Sequence, residues 1–313
     1  MNGLRVIKAG MLTTIQDRGR WGLQSFGVPV AGPMDPVSHR IANTLVGNDA
    51  GAATLEVTLL GPELEFEDER TIAVTGAEFE ITVDGRPAPM NAPFIVSAES
   101  RLHFGPRVRG ARAYLAIAGG IDAQPTLGSR STHLISGMGG LDGRPVKSGA
   151  RLPLGDPARA RRSAPALSES VVPLPDRHAR IRVLAGPQQE YFTPGALDAL
   201  RSVPYAIGQD SDRMGFRLEG PRLAHARGAD IISDATPLGA LQVPASGQPI
   251  LLMADRQTTG GYPKIATVIS ADISLAGQLG PGDTIAFAVC TPLEAMAALI
   301  AQERALMAIE SLN

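Results

Sequence analysis

Apolar residues in this chain come in short runs, and glycine or proline interrupts nearly all of them. The 313 residues include 35 glycines and 25 prolines, a joint share well above the usual value of about 12%. No collagen period or low-complexity tract accounts for the excess. Proline breaks helix interiors and glycine weakens them, whereas strands of a few residues bounded by tight turns fit this punctuation. The expected fold is therefore mainly β, with a few short helices.

The individual runs agree. Residues 71–75 (TIAVT) and 79–83 (FEITV) read as successive strands, the second followed by Asp84 and Gly85, a favoured hairpin dipeptide. Residues 101–104, 112–117, 180–184, 250–253, 265–270 and 284–289 have similar length and β-type composition. Three helices are expected. Asp35 caps the first and Pro36 occupies its first turn, Val37, Ile41 and Leu45 form its apolar stripe, and Gly47 with Asn48 stops it. Thr193 and Pro194 start a shorter one that ends near Arg201. In the last, Thr291 caps, Pro292 takes the first position and Glu294 completes a capping box, followed by Met296, Leu299, Ile300 and Leu306 at helical spacing.

Residues 156–178, rich in proline, alanine, serine and arginine, read as an exposed linker between halves 1–155 and 179–313. Faint echoes connect the halves in order: DRG at 17–19 with DRMG at 212–215, TIAVTGA at 71–77 with PILLMAD at 249–255, and SAESRLHF at 97–104 with GPGDTIAF at 280–287. Two related β-barrel units would produce them, and so would convergence among short apolar strands.

Charge narrows the partners. A net charge of -2 carries no electrostatic footprint for nucleic acid or an anionic membrane. The single cysteine, Cys290, cannot close an internal disulfide, which suits a reducing cytoplasm. The first ten residues lack the pattern of a signal peptide, and no apolar run approaches the ~18 residues that span a bilayer. The expectation is a cytoplasmic chain with no membrane or nucleic-acid partner. Of the 29 basic residues only Lys8, Lys147 and Lys264 are lysines. A coding bias toward arginine explains the imbalance, yet a compact ammonium kept among so many guanidinium groups is worth following.

Four segments hold more polar chemistry than a turn-and-strand scaffold needs. Residues 13–35 crowd Gln16, Asp17, Arg18 and Arg20 beside glycines and the only tryptophan; a solvated turn with an Asp17–arginine pair is the plainer account. Residues 119–144 place Ser129, Arg130, Ser131 and Thr132 among many glycines, a composition suited to anion recognition and common in long loops as well. Residues 211–220 carry SDRMGFRLEG. The densest segment, 233–270, includes Gln242 and then Asp255, Gln257, Thr258, Thr259, Gly261, Tyr262 and Lys264 around a Gly-Gly turn. Hairpins use threonine and glycine but do not require an acid, an amide and an ammonium together, so this segment is the expected pocket for a small anionic or amide ligand. Several familiar constellations are absent: His39, His103, His133, His178 and His225 show no metal-ligand spacing, and there is no GxSxG elbow, Walker loop or Met-Lys-Met biotin-attachment sequence. Cys290, in the apolar run AFAVC, reads as core rather than nucleophile.

In order along the chain, TIQDRGRWG, GVPVAGPMD, IANTLVGN, LEVTLLGP, RAYLAIAGGI, LGSRST, SDRMGFRL and MADRQTTGGYPKIATV resemble the allophanate-hydrolase-subunit-2-like family, also described as biotin-dependent carboxyltransferase-like. The resemblance implies two linked cyclophilin-like β-barrel halves. It also implies one component of the heteromeric, ATP-dependent 5-oxoprolinase, specifically its C-type subunit. That complex opens 5-oxo-L-proline to L-glutamate; the C-type chain works in direct contact with the B-type subunit, needs the A-type subunit as well, and is inactive alone. ATP would then bind at an unfamiliar site on this chain, or on or between the partner subunits, with no biotin attachment and no metal. Related segments act on urea-like amides in urea carboxylase, and another relative is a non-catalytic regulator of a kinase inhibitor. Under the leading reading Asp255, Lys264 and Asp17 carry the chemistry, Lys264 neutralising an anionic oxygen and Asp255 handling a proton or orienting water. Gln16, Arg18, Arg213, Gln242, Gln257, Thr258, Thr259, Gly261 and Tyr262 would bind substrate.

Overall fold

A computed structural model describes residues 3–160, 163–167 and 173–312. Positions 161–162 and 168–172 of the expected linker lie outside the described residues. The chain divides into two compact units that are not continuous in sequence: Met1–Arg20, Ala31–Leu174 and Arg304–Asn313 form the first, and Trp21–Val30 with Pro175–Glu303 the second. Each is built on β-strands. No helix among the described residues is long and apolar enough to cross a membrane.

The first unit contains β1 (Gly3–Lys8), β2 (Leu12–Gln16), α1 (Pro36–Leu45), β3 (Thr54–Thr58), β4 (Glu63–Phe66), β5 (Arg70–Val83), β6 (Arg86–Pro87), β7 (Phe94–Val96), β8 (Arg101–Ile117) and β9 (Arg151–Pro153). The sheet runs β2-β3-β8-β4-β1-β9, with β5 alongside β8 and carrying β6 and β7 on its other edge. Here the structure corrects the expected strand count. Residues 71–75 and 79–83 belong to one strand, β5, whose register against β8 shifts between Gly76 and Ile81; residues 101–104 and 112–117 are the two ends of β8. Bulges shift the alternation of side chains, so one long bent strand reads as two short ones. The Asp84–Gly85 hairpin is present, with both residues at positive φ (51° and 77°) and Val83 paired to Arg86.

One face of this sheet buries Leu55, Leu64, Phe66, Ile72, Leu115 and their neighbours. On the other lies α1, whose Val37, Ile41 and Leu45 pack with Ala73, Tyr114 and Ala116. The Asp35 cap forms as its residue type dictates, its carboxylate accepting from Ser38 N at 2.9 Å and Ser38 Oγ at 2.6 Å.

The second unit contains β10 (His178–Ala185), α2 (Ala196–Ser202), β11 (Tyr205–Ile207), β12 (Gly215–Glu219), β13 (Asp234–Ala235), β14 (Ala240–Gln242), β15 (Ile250–Leu252), β16 (Thr259–Gly260), β17 (Lys264–Val268), α3 (Ile273–Gly277) and β18 (Thr284–Val289). Seven of these strands close a barrel in the order β10-β17-β14-β15-β12-β11-β18, sealed by a parallel pairing of β18 with β10. Ile181, Val183, Leu218, Leu241, Leu251 and Ile265 are fully or almost fully buried. The two-residue strands β13 and β16 pair with each other outside that barrel. Helix α2 begins at Ala196 rather than at Thr193: Gly195 takes the cap position, and Thr193 O accepts from Ala196 N in a turn that precedes the helix. The last helix, α4 (Pro292–Glu310), has the expected capping box: Thr291 N donates to Glu294 Oε2 at 2.7 Å, and Glu294 N to Thr291 Oγ1 at 3.2 Å. Cys290 follows β18 half-buried, and burial raises its thiol pKa, against any nucleophilic role.

Candidate functional site

In the second unit four of the residues singled out between 233 and 270 fall into two groups. Asp255 belongs to the first. It follows β15, and both its carboxylate oxygens accept from Arg213, Nε to Oδ2 and Nη2 to Oδ1, each at 3.0 Å. The two side chains are 2% and 3% exposed. Asp255 N also donates to Arg213 O at 2.8 Å, tying the 255 turn to the segment that leads into β12. Such a bidentate pair positions backbone. With both oxygens committed, Asp255 is poorly placed for the proton handling expected of it.

The second group centres on Gln242, Gln257 and Lys264. Lys264 opens β17 opposite Gln242 of β14, and Gln257 Nε2 donates to Gln242 Oε1 at 3.1 Å. Gly260 permits this cluster. A Cβ there would stand 2.5 Å from Gln242 Nε2 and 3.3 Å from Gln257 Nε2, so the backbone must pass without a side chain. The Lys264 ammonium donates to Asp234 Oδ2 at 2.8 Å. The Asp234 carboxylate also accepts from Ala235 N at 2.8 Å and Gln188 Nε2 at 3.2 Å, while Gln188 Oε1 accepts from Lys264 N at 3.2 Å. The hydrogen bond from Lys264, then that from Ala235 N, hold Asp234 below the usual carboxylate range.

Beside this cluster lies a cleft of about 490 Å³ lined by Trp21, Gln24, Val30, Thr236, Arg256, Gln257 and Thr258, among others. All belong to the second unit, Trp21–Val30 being its excursion into the N-terminal sequence. Arg256 is buried and donates from Nε to Thr236 O at 2.9 Å; burial pushes its pKa down to about 10, which leaves it cationic at neutral pH. Thr236 Oγ1 donates in turn to Gln257 O. An indole, two carboxamides, a threonine hydroxyl and a guanidinium around one opening suit a small planar amide, whose ring stacks while its carbonyl and N–H find partners. Thr259, Gly261 and Tyr262 lie on the exposed strip around β16, where Gly261 O accepts from Ile231 N at 2.8 Å.

The first unit contains the other candidates. Asp17 is buried and accepts from Ser129 Oγ (2.5 Å), Ser131 Oγ (2.7 Å), Arg130 N (2.6 Å) and Gly19 N (2.9 Å). Burial raises its pKa, but these four donors together outweigh that effect and hold the carboxyl below its ordinary range. Asp17 therefore knits together two of the glycine-rich segments picked out in the sequence, and its lone pairs are occupied in doing so. Gln16 is fully buried, its Nε2 on Thr132 O at 3.1 Å and Thr14 Oγ1 at 3.0 Å. Arg18 is exposed, its stem passing over Gly51.

Asp234, Thr236, Arg256 and Trp21 stood inside the flagged segments without being singled out. Gln188 stood in none, and no local signal marks it.

Residues 26–289 match the family described as "Carboxyltransferase domain, subdomain A and B". The chain belongs to the carboxyltransferase domain family. Its relatives in that family divide by size. The chain is 41% identical over 301 residues to the 5-oxoprolinase C-type subunit of Escherichia coli (strain K12), covering 96% of both chains. With the Haemophilus influenzae protein of the same name it shares 36% identity over 282 residues, 90% of this chain and 89% of that one. Urea amidolyase of Saccharomyces cerevisiae is 34% identical over 327 residues, but these are 99% of this chain and 18% of the yeast protein. Among solved structures, the K. lactis urea amidolyase superposes with a TM-score of 0.89 at 33% identity, over 97% of this carboxyltransferase-family chain and 20% of that one.

Proposed function

We propose that this chain is the C-type subunit of an ATP-dependent 5-oxoprolinase, hydrolysing 5-oxo-L-proline to L-glutamate together with the A-type and B-type subunits. The observation that carries this reading is the end-to-end correspondence with the Escherichia coli C-type subunit, 96% of both chains. The cleft of the second unit supports it, since its volume of about 490 Å³ admits a five-membered lactam and its lining includes Trp21, Gln24, Arg256 and Gln257. An unstrained lactam carbonyl is a poor electrophile near neutral pH. Transfer of a phosphoryl group from ATP to its oxygen, with loss of the ring N–H proton, makes the carbon attackable by water. The tetrahedral adduct then breaks its C–N bond, the nitrogen taking up a proton, to leave an acyl phosphate, which a second water hydrolyses to glutamate and phosphate. The chain's share of this work is to orient the lactam and to set Lys264, beside Gln242 and Gln257, against negative charge. The sequence has no Walker loop, so we assign the nucleotide to a site on, or shared with, the partner chains. A carboxyltransferase role on urea-like amides is the second reading, favoured by the likeness to urea amidolyase.

Reconstitution tests both. The purified chain alone is expected to be inactive, and addition of the A-type and B-type subunits to give ATP-dependent glutamate release. Lys264→Met should lower turnover of the assembled complex at least tenfold, about 1.4 kcal/mol of barrier, with the melting temperature nearly unchanged. A complex that leaves 5-oxoproline intact removes the first reading, and activity insensitive to avidin removes the second.

A further inference from the structure

Lys264 has an unusual counter-ion. Its side chain is 1% exposed, while that of Asp234, which it contacts at 2.8 Å, is 49% exposed. A cation sunk in the wall of the barrel thus relies on a carboxylate reaching in from the surface. Asp234 stands on β13, a two-residue strand whose pairing among the described residues is with the equally short β16. Sheet structure therefore adds little to the hydrogen bonds from Lys264, Ala235 N and Gln188 that hold the acid in place. Gln242, the cross-strand partner of Lys264, keeps Nε2 buried with no hydrogen-bond partner and close to Gly260, the residue paired with Asp234. Buried amide donors are rarely left unused. The cluster thus combines a buried cation, an unused donor on the neighbouring strand and a half-exposed carboxylate as counter-ion.

We infer that Lys264 is the seat for a ligand's carboxylate, that Asp234 is an internal stand-in for that group, and that the ligand displaces Asp234 while taking a hydrogen bond from Gln242 Nε2. This rests on the proposed function for the identity of the lactam and deepens it by naming the substrate class: small amides that carry a carboxylate, such as 5-oxoproline, in preference to neutral ones such as urea. The physical basis is competition. Two carboxylates repel and cannot share one ammonium, whereas a buried ammonium left with neither is strongly disfavoured. Asp234 keeps the empty site stable and weakens every acidic ligand by the work of moving it aside.

The test is calorimetric titration of the full chain and its Asp234→Asn variant with 5-oxoproline, 2-pyrrolidinone (the same ring without the carboxylate), succinamate (a carboxylate with an open-chain amide) and inorganic phosphate. Asp234→Asn should bind 5-oxoproline and succinamate at least tenfold more tightly than the native chain, with 2-pyrrolidinone unchanged. Adding Lys264→Met should erase the difference. In the native chain, carbon NMR of the Asp234 carboxyl should show its titration midpoint rising toward the ordinary aspartate value when 5-oxoproline is added, a readout that needs no variant to fold. Unchanged or weaker carboxylate binding in Asp234→Asn, an equal gain for 2-pyrrolidinone, or an Asp234 carboxyl indifferent to ligand each overturns the inference. A gain confined to phosphate overturns it too and gives the seat to a phosphoryl group. If both carboxylates gain while the assembled complex hydrolyses no 5-oxoproline, the carboxylate seat stands and the functional reading falls.

Discussion

Replacing Asp255 with asparagine separates a structural acid from a catalytic one. The substitution keeps the shape and one acceptor oxygen but removes the charge that faces Arg213 across two 3.0 Å contacts. With both side chains almost fully buried, solvent cannot screen the loss. Removing one partner of such a pair strands the other charge, which costs about 3–5 kcal/mol, whereas breaking an exposed pair costs less than about 1 kcal/mol. Lys8–Glu63, at 2.9 Å with Lys8 largely exposed, is the internal control. Urea unfolding followed by circular dichroism should show Asp255→Asn with a markedly lower midpoint and Glu63→Gln with a midpoint near the native one. The double variant Arg213→Met, Asp255→Leu should recover most of the loss, because an apolar pair leaves no charge uncompensated. If Asp255→Asn unfolds within about 1 kcal/mol of the native chain and yet abolishes turnover of the assembled complex, the positioning role is wrong and Asp255 belongs to the chemistry.

Two further outcomes follow from local geometry. Gly260→Ala puts a methyl group 2.5 Å from Gln242 Nε2, so the two carboxamides must separate; steady-state kinetics of the complex should show KM for the lactam rising several-fold with the melting temperature little changed, and an unaltered KM would disprove the close approach. His39 is wholly buried on α1, and burial, opposed only in part by Asp17 and Glu56, pushes its pKa from 6.5 to about 4. Between those values the unfolded chain takes up a proton that the folded chain refuses, so stability falls as pH drops through that window and is fully present above it, a loss of about 3 kcal/mol in all. Denaturation at pH 7 and pH 4.5 should show a steeper acid loss for the native chain than for His39→Gln, and equal losses would rule out a buried neutral imidazole.

Much of this molecule was legible in the chain, because the relevant forces act over a few residues. Asp35 and Thr291 cap their helices through groups three positions away, Asp84 and Gly85 turn the chain through their own φ values, and frequent glycine and proline left strands as the available element. The polar density at 255–264 likewise marked the cluster where Gln242, Gln257 and Lys264 meet. What tertiary structure decided is who stands opposite whom. Residues 71–75 and 79–83 became one strand because β8 runs past both across the bulges, and Asp17 became a loop organiser because serines more than a hundred residues away point at it. Asp234 and Gln188 joined Lys264 from separate parts of the chain, and Asp255 was committed to Arg213. Local sequence sets backbone preference and side-chain chemistry; burial and long-range pairing then determine which of those side chains remain available to a ligand.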